Sequence, residues 1–191
     1  MPGLQDPRSA VLSSDLALEL RPFSTSTTCR PTCRPAPPNS YHVDLEFRVP
    51  LAFAYAWCTD YAEEDPTYAN EDRTIRLQRR ILERTRKRVV FENLYDEGRG
   101  WAWERHVVTL HPPDRWHCDG RGSYADVHLD YRLTSLPGGR TRFDMDWSSS
   151  PTELSHAPRP SRRAVEDWVR QLWRRRARAM QREYRASRAA K

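Results

Sequence analysis

The sequence predicts an α+β domain in which a curved antiparallel sheet of seven strands wraps around one long C-terminal helix. Three observations predict it. Apolar and polar residues alternate in segment after segment between residues 41 and 147, the signature of half-buried strands. Short turns containing Pro or Gly join these segments, and short joins make neighbouring strands antiparallel. Beyond residue 160 the apolar spacing changes from two to that of a helix.

Tyr41–Val49 is apolar at its odd positions and mostly charged at its even ones, a strand. Pro50 ends it and suits the first turn of a helix. That helix is Leu51–Thr59, short, Ala-rich and aromatic, followed by a loop or broken helix over Asp60–Asp72. Thr74–Arg84 places Ile75, Leu77 and Ile81 in one phase, and Arg88–Asp96 does the same with Val89, Phe91 and Tyr95. Glu97–Gly100 is a turn. In Trp101–Leu110, the bulk of Trp101, Trp103 and Val107 marks the inward face. Pro112-Pro113-Asp114 turns into Arg115–Gly120, closed by Gly120 and Gly122. Val127–Leu133 and Thr141–Trp147 alternate cleanly on either side of a hairpin turn at Pro137-Gly138-Gly139. Ser148–Pro160 reads as a linker. In the helix Ser161–Ser187, steps of about 100° gather Val165, Trp168, Val169, Leu172 and Met180 into one stripe. Arg163, Asp167, Arg170, Arg174, Arg178 and Arg185 fall opposite.

Composition bounds the function. The net charge of +6 is unevenly placed. Residues 1–40 carry +1, residues 41–157 carry −4 and residues 158–191 carry +9. Basicity therefore belongs to the last segment alone, and all but two of the 32 basic residues are Arg. Residues 1–40 are rich in Pro, Ser and Thr without apolar period, and read as a disordered tail ahead of a domain over 41–191. No secretory signal or apolar run of membrane-spanning length is present, so a cytoplasmic protein with reduced thiols is expected.

The order of strand, short helix, six further strands and long helix resembles the START-like (SRPBCC) superfamily, which includes polyketide cyclases and dehydrases and the birch-pollen-allergen type. Three stretches carry the likeness: Val43–Val49 with Pro50 and the aromatic helix through Trp57 to Asp60; Val107–Trp116 with its Pro-Pro turn; and the hairpin Tyr131–Thr141. The resemblance implies a helix-grip fold with an internal cavity for an apolar or amphipathic small molecule. It implies no fixed catalytic set.

The residues themselves point to a cavity lined by Trp101, Trp103, Tyr131, Trp147, Trp168 and Leu172, with Arg105 and Arg176 as partners for an anionic head. Arg79, Asn93 and Arg105 each share an apolar phase, and a charge buried without a partner costs several kcal/mol, so such groups are paired, at a rim, or facing a wet cavity. For Arg176 the bland alternatives are pairing with Glu183 or a wet helix end. His106, His117 and His128 lie in the phase opposite the apolar residues and read as a solvated outer face. Glu104, Asp144 and Asp146 also read as outward, so no carboxylate pair is poised for acid–base work. Cys29 and Cys33 lack a second pair at zinc spacing, and Cys58 and Cys118 read as small core residues. No metal, cofactor or catalytic constellation is expected. Small-molecule binding is the preferred function, with a polyketide cyclase or dehydrase as its enzymatic alternative. An anionic-surface or nucleic-acid partner for the Arg-rich helix is disfavoured because no base-stacking motif accompanies it. Ligand identity and oligomeric state are left open.

Overall fold

The computed structural model describes residues 40–63, 76–96, 101–152 and 161–189. Seven strands follow one another as β1 (Ser40–Phe47), β2 (Arg76–Arg84), β3 (Arg88–Asp96), β4 (Trp101–His111), β5 (Arg115–Gly122), β6 (Ala125–Leu136) and β7 (Arg140–Pro151). Helix α1 (Leu51–Cys58) sits between β1 and β2, and α2 (Arg162–Ala189) closes the chain. All pairings are antiparallel, in the order β1-β7-β6-β5-β4-β3-β2. The result is the helix-grip α+β architecture that the sequence predicts. The strand β7 runs on to Pro151, through residues expected to belong to a linker. The expected tail up to residue 39, with Cys29 and Cys33, and the expected turn at 97–100 lie outside the described residues.

Local chemistry explains the element ends. Gly138 and Gly139 adopt φ of 76° and 69°, the pair of left-handed residues that a tight hairpin turn demands and that glycine supplies without a Cβ clash. At the start of α2 the Ser161 hydroxyl accepts from the Ala164 amide at 3.2 Å, capping a free helix donor. The buried Thr141 hydroxyl donates to the Val49 carbonyl at 2.8 Å, tying β7 to the chain as it enters α1.

The core lies on the face of the sheet turned toward the helices. Val43, Phe47, Leu133, Phe143, Met145 and Trp116 are buried there with Val169, Trp173 and Met180 of α2. Trp173 is the centre: its ring lies 4.3 Å from Phe143, 6.1 Å from Tyr131 and 6.3 Å from Phe47. Tyr131 stacks on Trp116 at 4.7 Å, and Tyr55 of α1 meets Trp116 edge-on. At the other end of α2, Trp57 donates to Glu183 and Phe53 packs on Tyr184. This aromatic layer fills the grip beneath β1, β7 and β6.

Register corrects the phase expected for β4. Phe91 of β3 faces His106, and Trp116 and Cys118 of β5 face Leu110 and Val108. Opposed residues of an antiparallel pair point to the same side, so the even positions of β4 turn inward. Ala102 and Val108 are buried, whereas Trp101 and Trp103 are 52% and 42% exposed on the outer face. Bulk misleads here, because the two Trp residues belong to the solvent side. Arg105 is outward as well, 4.0 Å from Glu92. His106 and Glu104, expected outside, are inside.

Trp173→Ala removes the ring that α2 inserts into the sheet. We expect a loss of about 3–5 kcal/mol of unfolding free energy, read from the urea midpoint.

Candidate functional site

The inward positions of β2, β3, β4 and β5 that lie away from the aromatic layer carry polar groups in mutual contact. Glu104 accepts from the Tyr95 hydroxyl at 3.1 Å on one oxygen and meets His106 Nε2 at 3.0 Å through the other. Partial burial opposes its charge, but bonds from His106, Tyr95 and Asn93 and the neighbouring imidazole outweigh it and hold the carboxyl below its ordinary range. His106 Nδ1 lies 3.4 Å from Cys118 Sγ. Burial, with help from Asp119 and Glu104, pushes that thiol up to about 12 against the opposing pull of Arg79. The thiol therefore keeps its proton, and His106 spans the thiol and the carboxylate through its two ring nitrogens. Arg79 donates to Asn93 at 3.1 Å and to the Ala62 carbonyl at 3.3 Å, with its guanidinium 4.6 Å from the centre of the Phe91 ring.

Two glycines make room for this cluster. His106 stands opposite Gly120 and Glu104 opposite Gly122. A Cβ on Gly120 would come within 2.8 Å of the His106 ring and 2.6 Å of Val127. A Cβ on Gly122 would approach Glu104 Cγ to 2.9 Å. With Phe91 stacked 4.8 Å away, the imidazole is held between an aromatic ring and a strand stripped of its side chain. The signal was in the sequence as Gly120-Arg121-Gly122, read there only as a strand end.

Of the residues expected to line a cavity, Tyr131 and Trp147 pack against the inner core, Arg176 lies beside the Trp173 ring, and Leu172 is half-buried. Trp101, Trp103 and Arg105 face outward, and Trp168 is 60% exposed near the start of α2. The buried face of α2 runs through Val169, Trp173 and Met180, and Trp168, one residue before Val169, is turned about 100° away from it. Arg176 places its guanidinium 5.1 Å from the Trp173 ring centre. Its expected partner Glu183 is taken by Trp57. Burial pushes the Cys58 thiol up to about 12, with the Arg176 charge opposing, so neither Cys58 nor Cys118 is a ready thiolate. The Trp147 indole nitrogen and the Tyr55 hydroxyl are buried without a hydrogen-bond partner among the described residues. Burial, reinforced by Asp114, raises the Tyr55 phenol above its ordinary range.

The outer face is chemically separate. An open groove of about 990 Å³ is lined by residues that include His42, His117, Asp130, Arg132 and Asp146. His117 and His128 lie outside, as expected. His128 bridges Asp119 at 2.6 Å and Asp130 at 3.1 Å. Among the described residues, no group of three or more His, Cys, Asp or Glu side chains is arranged to hold a metal ion. Arg174, Arg175, Arg178, Arg182, Arg185 and Arg188 are exposed on α2.

No protein-family model and no curated protein sequence matches the chain. Solved structures do. An aromatase/cyclase from Streptomyces sp. R1128 superposes with a TM-score of 0.55 at 15% identity, over 80% of this chain and 96% of its own. Ara h 8.0201 gives 0.56 at 13% identity, over 74% and 96%. A START superfamily protein from Mycobacterium smegmatis gives 0.52 at 13% identity, over 74% and 94%. At these identities the likeness establishes a START-like fold, in agreement with the expected resemblance.

Gly120→Ala forces the His106 ring and Val127 apart. We expect a loss of about 1–3 kcal/mol and a displaced His106 imidazole resonance. The His128 pKa is raised above its ordinary value: partial burial opposes the charge, but Asp119 and Asp130 outweigh it. The stabilisation is therefore full below about pH 6.5, the unfolded value, and is lost as pH rises through the folded value. His128→Gln should lower the thermal midpoint at pH 5.5 and leave it nearly unchanged at pH 8.5.

Proposed function

We propose that this protein binds a small amphipathic molecule on the inner face of the sheet, between it and α2. One observation carries the reading. The polar cluster of Tyr95, Glu104 and His106 is held inward by two glycines, and Glu104 keeps 35% of its side-chain surface accessible although it lies on the inner face. A polar network built only to brace a core is closed off from solvent; this one is open beside an aromatic layer. The body of the ligand rests on Tyr131, Trp147 and Leu172, and its polar end meets the cluster. Arg176 is a further contact from the helix side. Relatives in fold include a protein described as an aromatase/cyclase, but Glu104 is weakly basic while three donors hold it, which favours holding a molecule over moving its protons. Residues 41–191 serve as the binding domain, with residues 1–40 as an appended tail. No helix among the described residues is long and apolar enough to cross a membrane, and we place the binding function in the cytoplasm without a cofactor.

Native mass spectrometry of freshly purified protein should show one adduct of a few hundred daltons that denaturing spectra lose. The neutral dye Nile red should also bind with enhanced fluorescence. A bare native mass together with no uptake of that dye would reject the proposal.

A further inference from the structure

The polarity of the ligand is written in two side chains that stand on different strands. We infer that the bound molecule carries a neutral hydrogen-bond donor, an alcohol or amine, for Glu104, and a carbonyl-type acceptor for Trp147. The inference rests on the binding function proposed above and specifies its ligand.

Glu104 has acceptor capacity to spare. An ionised carboxylate offers about four lone-pair sites and donates nothing. Tyr95 and His106 occupy two of them and Asn93 supplies a third bond. That leaves about one site on a side chain still open to solvent on the inner face. A donor completes the carboxylate, whereas an anionic head is repelled by it. The anion expected near β4 is thereby displaced, since Arg105, its sequence-level partner, stands on the outer face with Glu92.

Trp147 is the converse case. An indole N–H can only donate, and this one is buried with no acceptor. Its ring packs on Tyr41 at 4.9 Å in the inward phase shared with Phe143 and Met145. A buried donor without a partner bears its full desolvation cost, which a ligand oxygen would relieve. Strand β7 lies three strand spacings from β4 in the sheet order, about 14 Å across the sheet, and Trp147 stands level with Val108, four residues along β4 from Glu104, so donor and acceptor belong to opposite ends of an elongated molecule.

The test uses three neutral probes: a benzoyl-biphenyl bearing a hydroxymethyl group at its far end, its methyl ether, and the analogue with CH₂ in place of the ketone. Isothermal titration against the wild type should rank the alcohol about tenfold tighter than the ether, and the ketone tighter than its CH₂ analogue. Glu104→Gln should shrink the alcohol preference and leave the ketone preference. Trp147→Phe should do the reverse. Equal affinity of alcohol and ether for the wild-type protein, or preferences unmoved in folded variants, would overturn the inference while leaving small-molecule binding standing. If the wild type takes up none of the three probes and no dye, the binding function falls, and this inference with it.

Discussion

Directly opposed residues of an antiparallel pair point to one side, so a single choice of phase propagates through every strand of the sheet. Here the choice is made by β7 and β6. Phe143, Met145 and Leu133 are buried against Trp173, and turning either strand over would expose them all. The register then carries the phase through Trp116 and Cys118 to Val108, and through Val108 to Val89. Along the same strand as Val108, His106 and Glu104 have no alternative but to face inward. The burial of the polar cluster is thus a consequence of aromatic packing three strands away.

An inward histidine and glutamate are costly unless their hydrogen bonds are met, and the fold meets them locally. Tyr95 and Asn93 come from β3, the facing strand, and Cys118 from β5. Gly120 and Gly122 remove the side chains that would otherwise fill the same volume. Giving up two side chains in a central strand weakens packing and strand propensity. The arrangement is better explained by the space it creates than by the stability it adds, since an apolar filling of that volume would cost less.

Charge is partitioned by the same geometry. The outer face interleaves histidine with aspartate, as at His128 between Asp119 and Asp130 and His42 with Asp146. On α2, ion pairs such as Arg162 with Glu166 and Arg170 with Asp167 occupy the N-terminal half. Arg188 lies in the last turn of α2, where the helix dipole favours positive charge. Exposed pairs of this kind contribute little each.

The sequence by itself determined the seven strands and two helices of the described residues and their order, because periodicity and turn chemistry act over a few residues. It also determined the inward phase of β1, β2, β3, β5, β6 and β7, where one phase is plainly more apolar, and thereby the inner placement of Arg79, Asn93, Tyr131 and Trp147. Helical spacing found Val169 and Met180 but not Trp173, because its stripe was centred toward Trp168. In β4 both phases mix apolar with charged residues, and local bulk favoured Trp101 and Trp103. Only pairing with β3 and β5 decided it, since phase in an ambiguous strand is set by what its neighbours bury. The same holds for Gly120 and Gly122, whose meaning depends on the residues opposite them, and for the unpartnered Trp147 nitrogen, because partnership is a property of folded neighbours and not of the chain.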